Sequence, residues 1–485
     1  MKDLTQGRID VHLIRMSGAF LLNMLMGTLF SLGNIYWLGR LGAQAQAAVT
    51  LSGIPMMLLL TLMPVISMGA GILIAHAVGA KDQVRANRIF NEAFGASLIA
   101  ITLIATVAWM NREAFGRLMT TDPQTAALIA TYTRWFIPSI VVQLPLFVLA
   151  GALEFTGNVR AGTVAQSATV VLNAILTPIL MFGWLGMPKL GLTGTGMASF
   201  IACSITMLCM LAYFSRSNAY LTMRPAIWFT RPQELWSALK IGLPIGIEGG
   251  LVAAYLLVIA LLLRPFGPVE QAAFGIGHRV FQAALMPLMA LSAATCVIIG
   301  QSHGAGLGHR VREALRTSLI IACIVGPTLL IVFESFAPWI CSRFSDDAAV
   351  IAAGSVFLRI GALTFIPSSG AYVVFAVLSG MGNTRASLFT QIAYAALVMV
   401  PAFVLSQMPG FKPSWLWTVM VVAGCVQGLL AWYFLRRHFN RNVDPLAAAP
   451  AAELGTTVSA AELSTAAPAA KLSAAAPAAK LSAAS

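Results

Sequence analysis

Long runs of apolar residues restrict the fold of this chain more than any other feature. The segments Leu13–Leu38, Gly249–Leu263 and Val350–Phe375 carry almost no charge. About 20 consecutive apolar residues are needed to cross a hydrocarbon layer about 30 Å thick. The backbone must satisfy its own hydrogen bonds inside lipid, and the sequence lacks the period-two alternation of a membrane barrel. These runs therefore predict membrane-spanning helices.

Composition supports an integral membrane protein. Of the 485 residues, 58% are hydrophobic and only 10% are charged, whereas a soluble chain of this length would carry more charge. Despite the net charge of +13, we expect no nucleic-acid partner, because the basic residues lie in loops between the apolar runs. The six cysteines have neither metal nor redox spacing, so we expect no disulfide framework and no metal site.

The apolar runs predict an all-α fold with twelve transmembrane helices. Lys and Arg are concentrated in the loops on the side that would hold both termini, which predicts cytoplasmic termini. We expect the protein to be integral to the plasma membrane, the inner membrane of a bacterium. The predicted spans are 13–38, 50–78, 90–110, 126–153, 163–184, 192–214, 239–263, 271–302, 316–337, 349–379, 386–407 and 415–435.

An internal repeat with an offset of 225 residues divides these spans into two sets of six. The motif Gly157-Asn158-x-Arg160-Ala161 returns as Gly382-Asn383-x-Arg385-Ala386, and Gly79-Ala80 returns as Gly304-Ala305. An even number of spans separates the halves, so they should be related by a pseudo-twofold axis along the membrane normal, with a central cleft between them. We expect Gly79, Gly304, Gly157 and Gly382 to end helices in left-handed turns.

The repeat also predicts the domain organisation. An N-lobe of six spans covers residues 1–214, a cytoplasmic connecting loop covers 215–238, and a C-lobe of six spans covers 239–440. Residues 441–485 are rich in Ala and Pro, without the bulky apolar residues of a core, and predict a disordered tail.

Several motifs, in this order and spacing, resemble the multidrug and toxic compound extrusion (MATE) family over about residues 1–440. They include Leu38-Gly39-Arg40-Leu41-Gly42, Ala75-His76-Ala77-Val78-Gly79-Ala80, Gly191-Leu192-Thr193-Gly194-Thr195-Gly196 and Gly242-Leu243-Pro244-Ile245-Gly246-Ile247-Glu248. The resemblance implies a secondary active exporter that moves organic, often cationic or amphiphilic compounds by alternating access in exchange for H⁺ or Na⁺. It implies no other cofactor and a membrane-lipid environment. The two-lobe design encloses a cleft within one chain and so favours a functional monomer.

Two acidic residues within the spans are the sharpest functional signal. Glu248 and Glu154 stand out because nearly all other acidic residues lie in loops or termini, and an intramembrane carboxylate usually marks function. Glu248 fits the Gly-x-Pro-x-x-x-Glu pattern of MATE-like sequences, and we predict a role in cation or proton coupling or in cationic-substrate binding. The alternative is a structural carboxylate that pairs with a base such as Arg279 or lies at the membrane interface. Glu154, near the end of the fourth span, is a candidate for coupling or for an interfacial or gating role.

The N-lobe departs from the MATE pattern at two positions. Asn34 stands where these proteins commonly carry an Asp, and Thr177 replaces the Asp of an Asn-x-x-x-Asp motif that begins at Asn173. With Thr195 these residues could form a polar N-lobe cluster. Such a cluster cannot itself titrate, and it could equally link helices by hydrogen bonds alone.

His278 and Arg279, early in the eighth span, either line the cleft or pair with other residues inside the C-lobe; we favour pairing. A flippase for a lipid-linked sugar or lipid head group is the alternative function, and its diphosphate would need a cationic cleft, for which the inner spans offer little beyond Arg279. No catalytic set, Gly-x-Ser-x-Gly motif or His-Glu-x-x-His motif is present, so we do not expect an enzyme.

Overall fold

The computed structural model describes residues 4–60, 62–120, 122–215, 220–224, 227–228 and 232–439. The predicted tail, 441–485, and parts of the predicted connecting loop lie outside these residues. The helices of the N-terminal half are α1 Ile9–Gly39, α2 Ala43–Leu60, α3 Leu62–Gly79, α4 Gln83–Met110, α5 Arg112–Met119, α6 Pro123–Phe155, α7 Val159–Phe182 and α8 Leu192–Ser215. Those of the C-terminal half are α9 Pro232–Leu262, α10 Pro268–Gly304, α11 Gly308–Ser342, α12 Ala348–Ala362, α13 Phe365–Gly380, α14 Thr384–Ser406 and α15 Pro413–His438.

Among the described residues, ten helices are long and apolar enough to cross a membrane, and the bent pair α12–α13 makes an eleventh candidate. The pair α2–α3 completes the set of twelve, because at the 225-residue offset its outer ends coincide with those of the single helix α10. The short helix α5, between the third and fourth spans, was not predicted.

The two halves repeat each other in detail. Asp122 caps the first turn of α6 by accepting from the backbone N–H of Gln124 at 3.3 Å, and its counterpart Asp347 caps α12 by accepting from the equivalent Ala349 at 2.8 Å. Gly157 and Gly382 both adopt positive φ, 83° and 80°, as predicted for left-handed helix ends.

The span formed by α12 and α13 is broken where proline interrupts the helical hydrogen bonds. Proline lacks an N–H and its ring clashes with the carbonyl four residues earlier. Pro367 therefore explains the break between α12 and α13, where the axis bends by 53°. Other intramembrane prolines, such as Pro244 and Pro287, lie inside continuous helices.

The lobes meet along α3 and α10, which occupy equivalent places in the two halves. Helix α3 packs against α9 and α10, and α10 packs against α1 and α3. One apolar core extends from the first turns of α1, including Leu13 and Phe20, into the C-lobe.

The lobes are pressed together at the end of the molecule that carries Leu4, Gly304, Gly382 and His438, which we call the terminal face. A β-carbon on Gly79 would collide with the backbone carbonyl of Gln301, and one on Gly304 would collide with that of His76. Gly79 and Gly304 therefore permit close approach of the lobes. The prediction that they form left-handed turns is wrong, because positive φ falls two residues later, at Lys81 and Gly306.

A matched pair of hydrogen bonds ties the lobes at this face. The His76 Nε2 atom on α3 lies 2.7 Å from the carbonyl oxygen of Gly380, and the equivalent Gln301 on α10 donates to the carbonyl of Phe155 at 2.9 Å. Gln301 also accepts from the backbone N–H of Leu4 at 3.4 Å, so it connects both lobes and the N-terminal segment.

A candidate binding cavity in the C-lobe and its N-lobe counterpart

A cavity of about 400 Å³ lies within the C-lobe helix bundle. Helix α9 contributes Glu248 and Tyr255, α10 contributes His278, and α14 contributes Gln391 and Tyr394. The rings of Tyr255 and Tyr394 meet edge to face, with their centroids 5.5 Å apart. The cavity thus combines aromatic walls with a small number of polar groups, which is typical of small-molecule sites.

Glu248 is the only acidic side chain along the described lining, which contains no Lys or Arg. Its Oε1 atom is buried and has no hydrogen-bond partner among the described residues. Helix α9 holds this carboxylate one turn after Pro244. The arrangement leaves a negative or protonatable group available to whatever enters the cavity.

The structure separates His278 from Arg279. His278 lines the cavity and packs against the ring of Phe274, with centroids 5.7 Å apart. Arg279 is exposed, lies outside the lining, and forms no ion pair with any described residue. We predicted that both residues pair with others inside the C-lobe. Arg279 does not follow this prediction.

Glu154 belongs to a different hydrogen-bonded chain, in the N-lobe. Its carboxylate is buried, with 9% relative exposure, and accepts from Gln166 on α7 at 3.1 Å. Gln166 in turn accepts from Asn23 on α1 at 2.6 Å. The next residue after Glu154 is Phe155, whose carbonyl forms one of the two bonds between the lobes, so Glu154 lies beside the closed terminal face.

The predicted N-lobe polar cluster forms only in part. Thr177 donates to Asn173 at 2.8 Å, and Asn173 donates to Ser199 on α8 at 2.8 Å. Thr195 donates to the carbonyl of Leu192 in its own helix. Asn34 has no hydrogen bond to the other three within the described structure. The bonds link α7 to α8, as the purely structural interpretation predicts.

Sequence reasoning missed the cavity's glutamines and tyrosines. Gln427 donates to Gln391 at 2.9 Å, and Gln391 is the 225-residue counterpart of Gln166. This repeated intramembrane glutamine was a usable signal for the site. The tyrosines gave no such signal, because the N-lobe does not repeat them.

Comparison with known proteins agrees with this arrangement. The sequence profile of the MatE family matches residues 19–179 and again 244–404, two ranges that are themselves 225 residues apart. The chain is 25% identical over 439 residues to a probable multidrug resistance protein, YoeA, of Bacillus subtilis (88% of this chain and 95% of the relative). It is also 25% identical over 433 residues to a FAD transporter of Shewanella oneidensis (87% and 94%).

The fold is that of a solved structure described as an outward-facing multidrug resistance MATE family transporter of the MOP superfamily. The TM-score is 0.83 at 19% identity, with 92% of this chain and 98% of that chain covered. The predicted architecture of twelve spans in two six-helix lobes is therefore confirmed, and the chain is a transporter rather than an enzyme. By the two profile matches, which cover most of both lobes, the protein belongs to the MatE family.

Proposed function

We propose that this protein is a secondary active exporter of organic, cationic or amphiphilic compounds, driven by exchange for H⁺ or Na⁺. The observation that carries the proposal is the Glu248 carboxylate, which faces an intramembrane cavity without a basic partner among the described residues. A buried carboxylate is costly unless it is protonated or binds a cation. An organic cation, Na⁺ and H⁺ can therefore compete for it.

The cavity walls suit an amphiphilic organic cation. A volume of about 400 Å³ accommodates a drug-sized molecule. The tyrosine rings offer faces on which a cationic centre is stabilised. The relative YoeA is named a probable multidrug resistance protein. That name supports an organic substrate of this class.

Alternating access would follow from the interface between the lobes. The terminal face is closed in this structure, and if the termini are cytoplasmic this closure corresponds to an outward-facing state. Protonation or Na⁺ binding at Glu248 would weaken substrate binding there and favour release. Loading from the other side would require breaking the contacts of His76 and Gln301, which lie beside Glu154. We therefore assign coupling to Glu248 and gating to Glu154, in a single chain in the lipid bilayer that acts as a monomer.

The flippase alternative gains no support from the cavity. A diphosphate needs a cationic lining, whereas the described lining contains Glu248 and no Lys or Arg, and Arg279 is exposed elsewhere. The FAD transporter among the relatives nevertheless justifies an anionic flavin as a comparison substrate. A site built on Glu248 should prefer a cationic dye to FAD.

The test is efflux from proteoliposomes with separately imposed Na⁺ and pH gradients, using ethidium and FAD as substrates. We expect ethidium transport to depend on one gradient and to be lost in Glu248→Gln, which mimics the protonated side chain. Glu313→Gln, at an exposed carboxylate, is the matched control and should behave like the parent protein. Unchanged gradient-driven transport in Glu248→Gln would refute the assignment.

A second variant separates gating from coupling. Glu154→Gln keeps a hydrogen-bonding group opposite Gln166 but removes the charge. We expect it to bind ethidium as tightly as the parent protein while turnover falls. A loss of ethidium affinity equal to that of Glu248→Gln would contradict the separate roles.

A further inference from the structure

A second cavity, of about 500 Å³, opens at the terminal face between the start of α14 and the end of α15. Its rim carries the guanidinium groups of Arg385 and Arg437 and the imidazole of His438. The described lining contains no acidic residue, and neither arginine forms an ion pair with a described residue. The transport cycle proposed above does not use this cavity.

Each helix places an aromatic ring one turn deeper than its arginine. Phe389 follows Arg385 by four residues on α14, and Phe434 precedes Arg437 by three on α15, so each ring lies beside its arginine on the same helix face. The two rings meet edge to face, with centroids 5.6 Å apart, and Phe389 is 56% exposed. The cationic rim therefore sits above an apolar floor that opens toward the membrane core.

The N-lobe provides an internal control for the view that these bases only set topology. The hydrogen-bonded scaffold is the same in both lobes: Asn158 bonds to Tyr213 at 3.1 Å, as Asn383 bonds to His438 at 3.1 Å. The chemistry built on it differs, because only Arg160 of the rim cations is retained. The N-lobe counterparts of Phe389, Phe434, Arg437 and His438 are Val164, Cys209, Ala212 and Tyr213. Arginines that served only to set the orientation of the chain in the membrane would need no pair of aromatic rings beneath them.

We propose that the cleft between α14 and α15 binds an anionic phospholipid of the leaflet at the terminal face. The phosphate of the head group would lie between Arg385 and Arg437, and an acyl chain would lie along Phe389 and Phe434. Arginines at the interface recognise phosphate by charge and by paired N–H donors, and basic pockets between transmembrane helices bind anionic head groups. The apolar floor distinguishes a lipid from free phosphate, which would use the rim alone.

The test is native mass spectrometry of the full chain in detergent, titrated with phosphatidylglycerol or with phosphatidylcholine of the same acyl chains. We expect tighter binding of phosphatidylglycerol, and a loss of about fivefold in its affinity for each arginine replaced, in Arg385→Gln and Arg437→Gln. Arg436→Gln, at an exposed arginine on the same turn of α15 but outside the lining, is the matched control and should change the affinity less than about twofold. Size-exclusion profiles check that each variant is folded.

Phe389→Ala then separates the two sources of phosphate. We expect it to weaken phosphatidylglycerol binding and to leave the inhibition constant of inorganic phosphate unchanged. Equal binding of the two lipids by the parent protein would overturn the proposal, as would an equal effect of Arg436→Gln. If Phe389→Ala has no effect and millimolar phosphate displaces the lipid, the site is one for free phosphate and the lipid assignment is wrong.

Discussion

The N-lobe and the C-lobe share one scaffold but place their buried carboxylates on different helices. At the 225-residue offset, Glu248 on α9 corresponds to Asn23 on α1. The glutamine near each of them is the same in both lobes: Gln391 in the C-lobe and Gln166 in the N-lobe. Two carboxylates are buried in the N-lobe, Glu92 on α4 and Glu154 on α6, and Glu154 is hydrogen-bonded to that same glutamine. Glu248 faces a cavity, whereas Glu154 lies beside the contact between the lobes.

This difference shows that the two lobes share the residues that orient their helices and differ in the residues that can interact with a transported species. Ser67 donates to the carbonyl of Phe147 at 3.2 Å, and its counterpart Ser292 donates to that of Tyr372 at 3.0 Å. Such bonds hold the helices of the two lobes in equivalent orientations. A carboxylate that interacts with a transported species is free of that constraint, so its position can differ between lobes.

The largest effect is expected when the C-lobe is given the N-lobe residue. Glu248→Asn removes the charge and reproduces the side chain of Asn23. Losing a charged interaction of about 1.5–3 kcal/mol should reduce ethidium transport by about tenfold to a hundredfold. Initial rates of efflux from proteoliposomes measure this. Retention of more than half of the rate would mean that the lobes are not chemically different in the way described.

The second prediction concerns the glycines that bring the lobes together. Gly79→Ala adds a carbon where the carbonyl of Gln301 lies, and overpacking of this kind costs about 1–3 kcal/mol. The population of the state in which the terminal face is closed should therefore fall by about tenfold. Spin labels on the exposed, equivalent positions Val84 and His309 report the opening as a longer distance.

Gly410→Ala is the control for this variant. It strains a backbone at positive φ (81°), and a β-carbon there meets nothing within 4 Å. It should lower thermal stability while leaving the distance distribution between the spin labels unchanged. Equal shifts of that distribution in both variants would show that Gly79 acts through helix geometry and not through contact between the lobes.

The comparison can be sharpened at the matched pair His76 and Gln301. Gln301 bonds both to Phe155 and to Leu4, whereas His76 has one bond across the interface, to Gly380. A neutral hydrogen bond contributes about 1 kcal/mol. Gln301→Ala should therefore shift the equilibrium toward opening by about fivefold more than His76→Ala.

The same spin-label pair measures this shift. Equal effects of the two substitutions would show that the N-terminal segment does not contribute to closure. Arg310, which donates to the carbonyls of Leu4 at 3.0 Å and Gly7 at 3.2 Å, gives an independent check. Arg310→Gln should reproduce the additional effect of Gln301→Ala.

The repeat made most of the fold predictable from sequence, because helix ends depend on local residues that the repeat preserves. The Asp122 and Asp347 caps and the turns at Gly157 and Gly382 are of this kind. Contacts between the lobes were not predictable, since Gly79 and Gly304 look like turn glycines until the opposite carbonyls are located. At the site, the cost of a buried charge identified Glu248 and Glu154 but missed Glu92, which is buried on α4. Only tertiary packing reveals which carboxylate faces a cavity.

The smallest effect is expected in the N-lobe polar cluster. Thr177→Val keeps the shape of the side chain and removes the hydroxyl that donates to Asn173. We expect a loss of about 1 kcal/mol in stability, from one buried hydrogen bond, seen as a lower unfolding temperature, with ethidium transport less than about twofold changed. The cluster has no carboxylate and links α7 to α8, so it should not sense either ion gradient. A changed dependence on the Na⁺ or pH gradient in Thr177→Val would instead place ion coupling in both lobes and make Glu248 only one of two coupling sites.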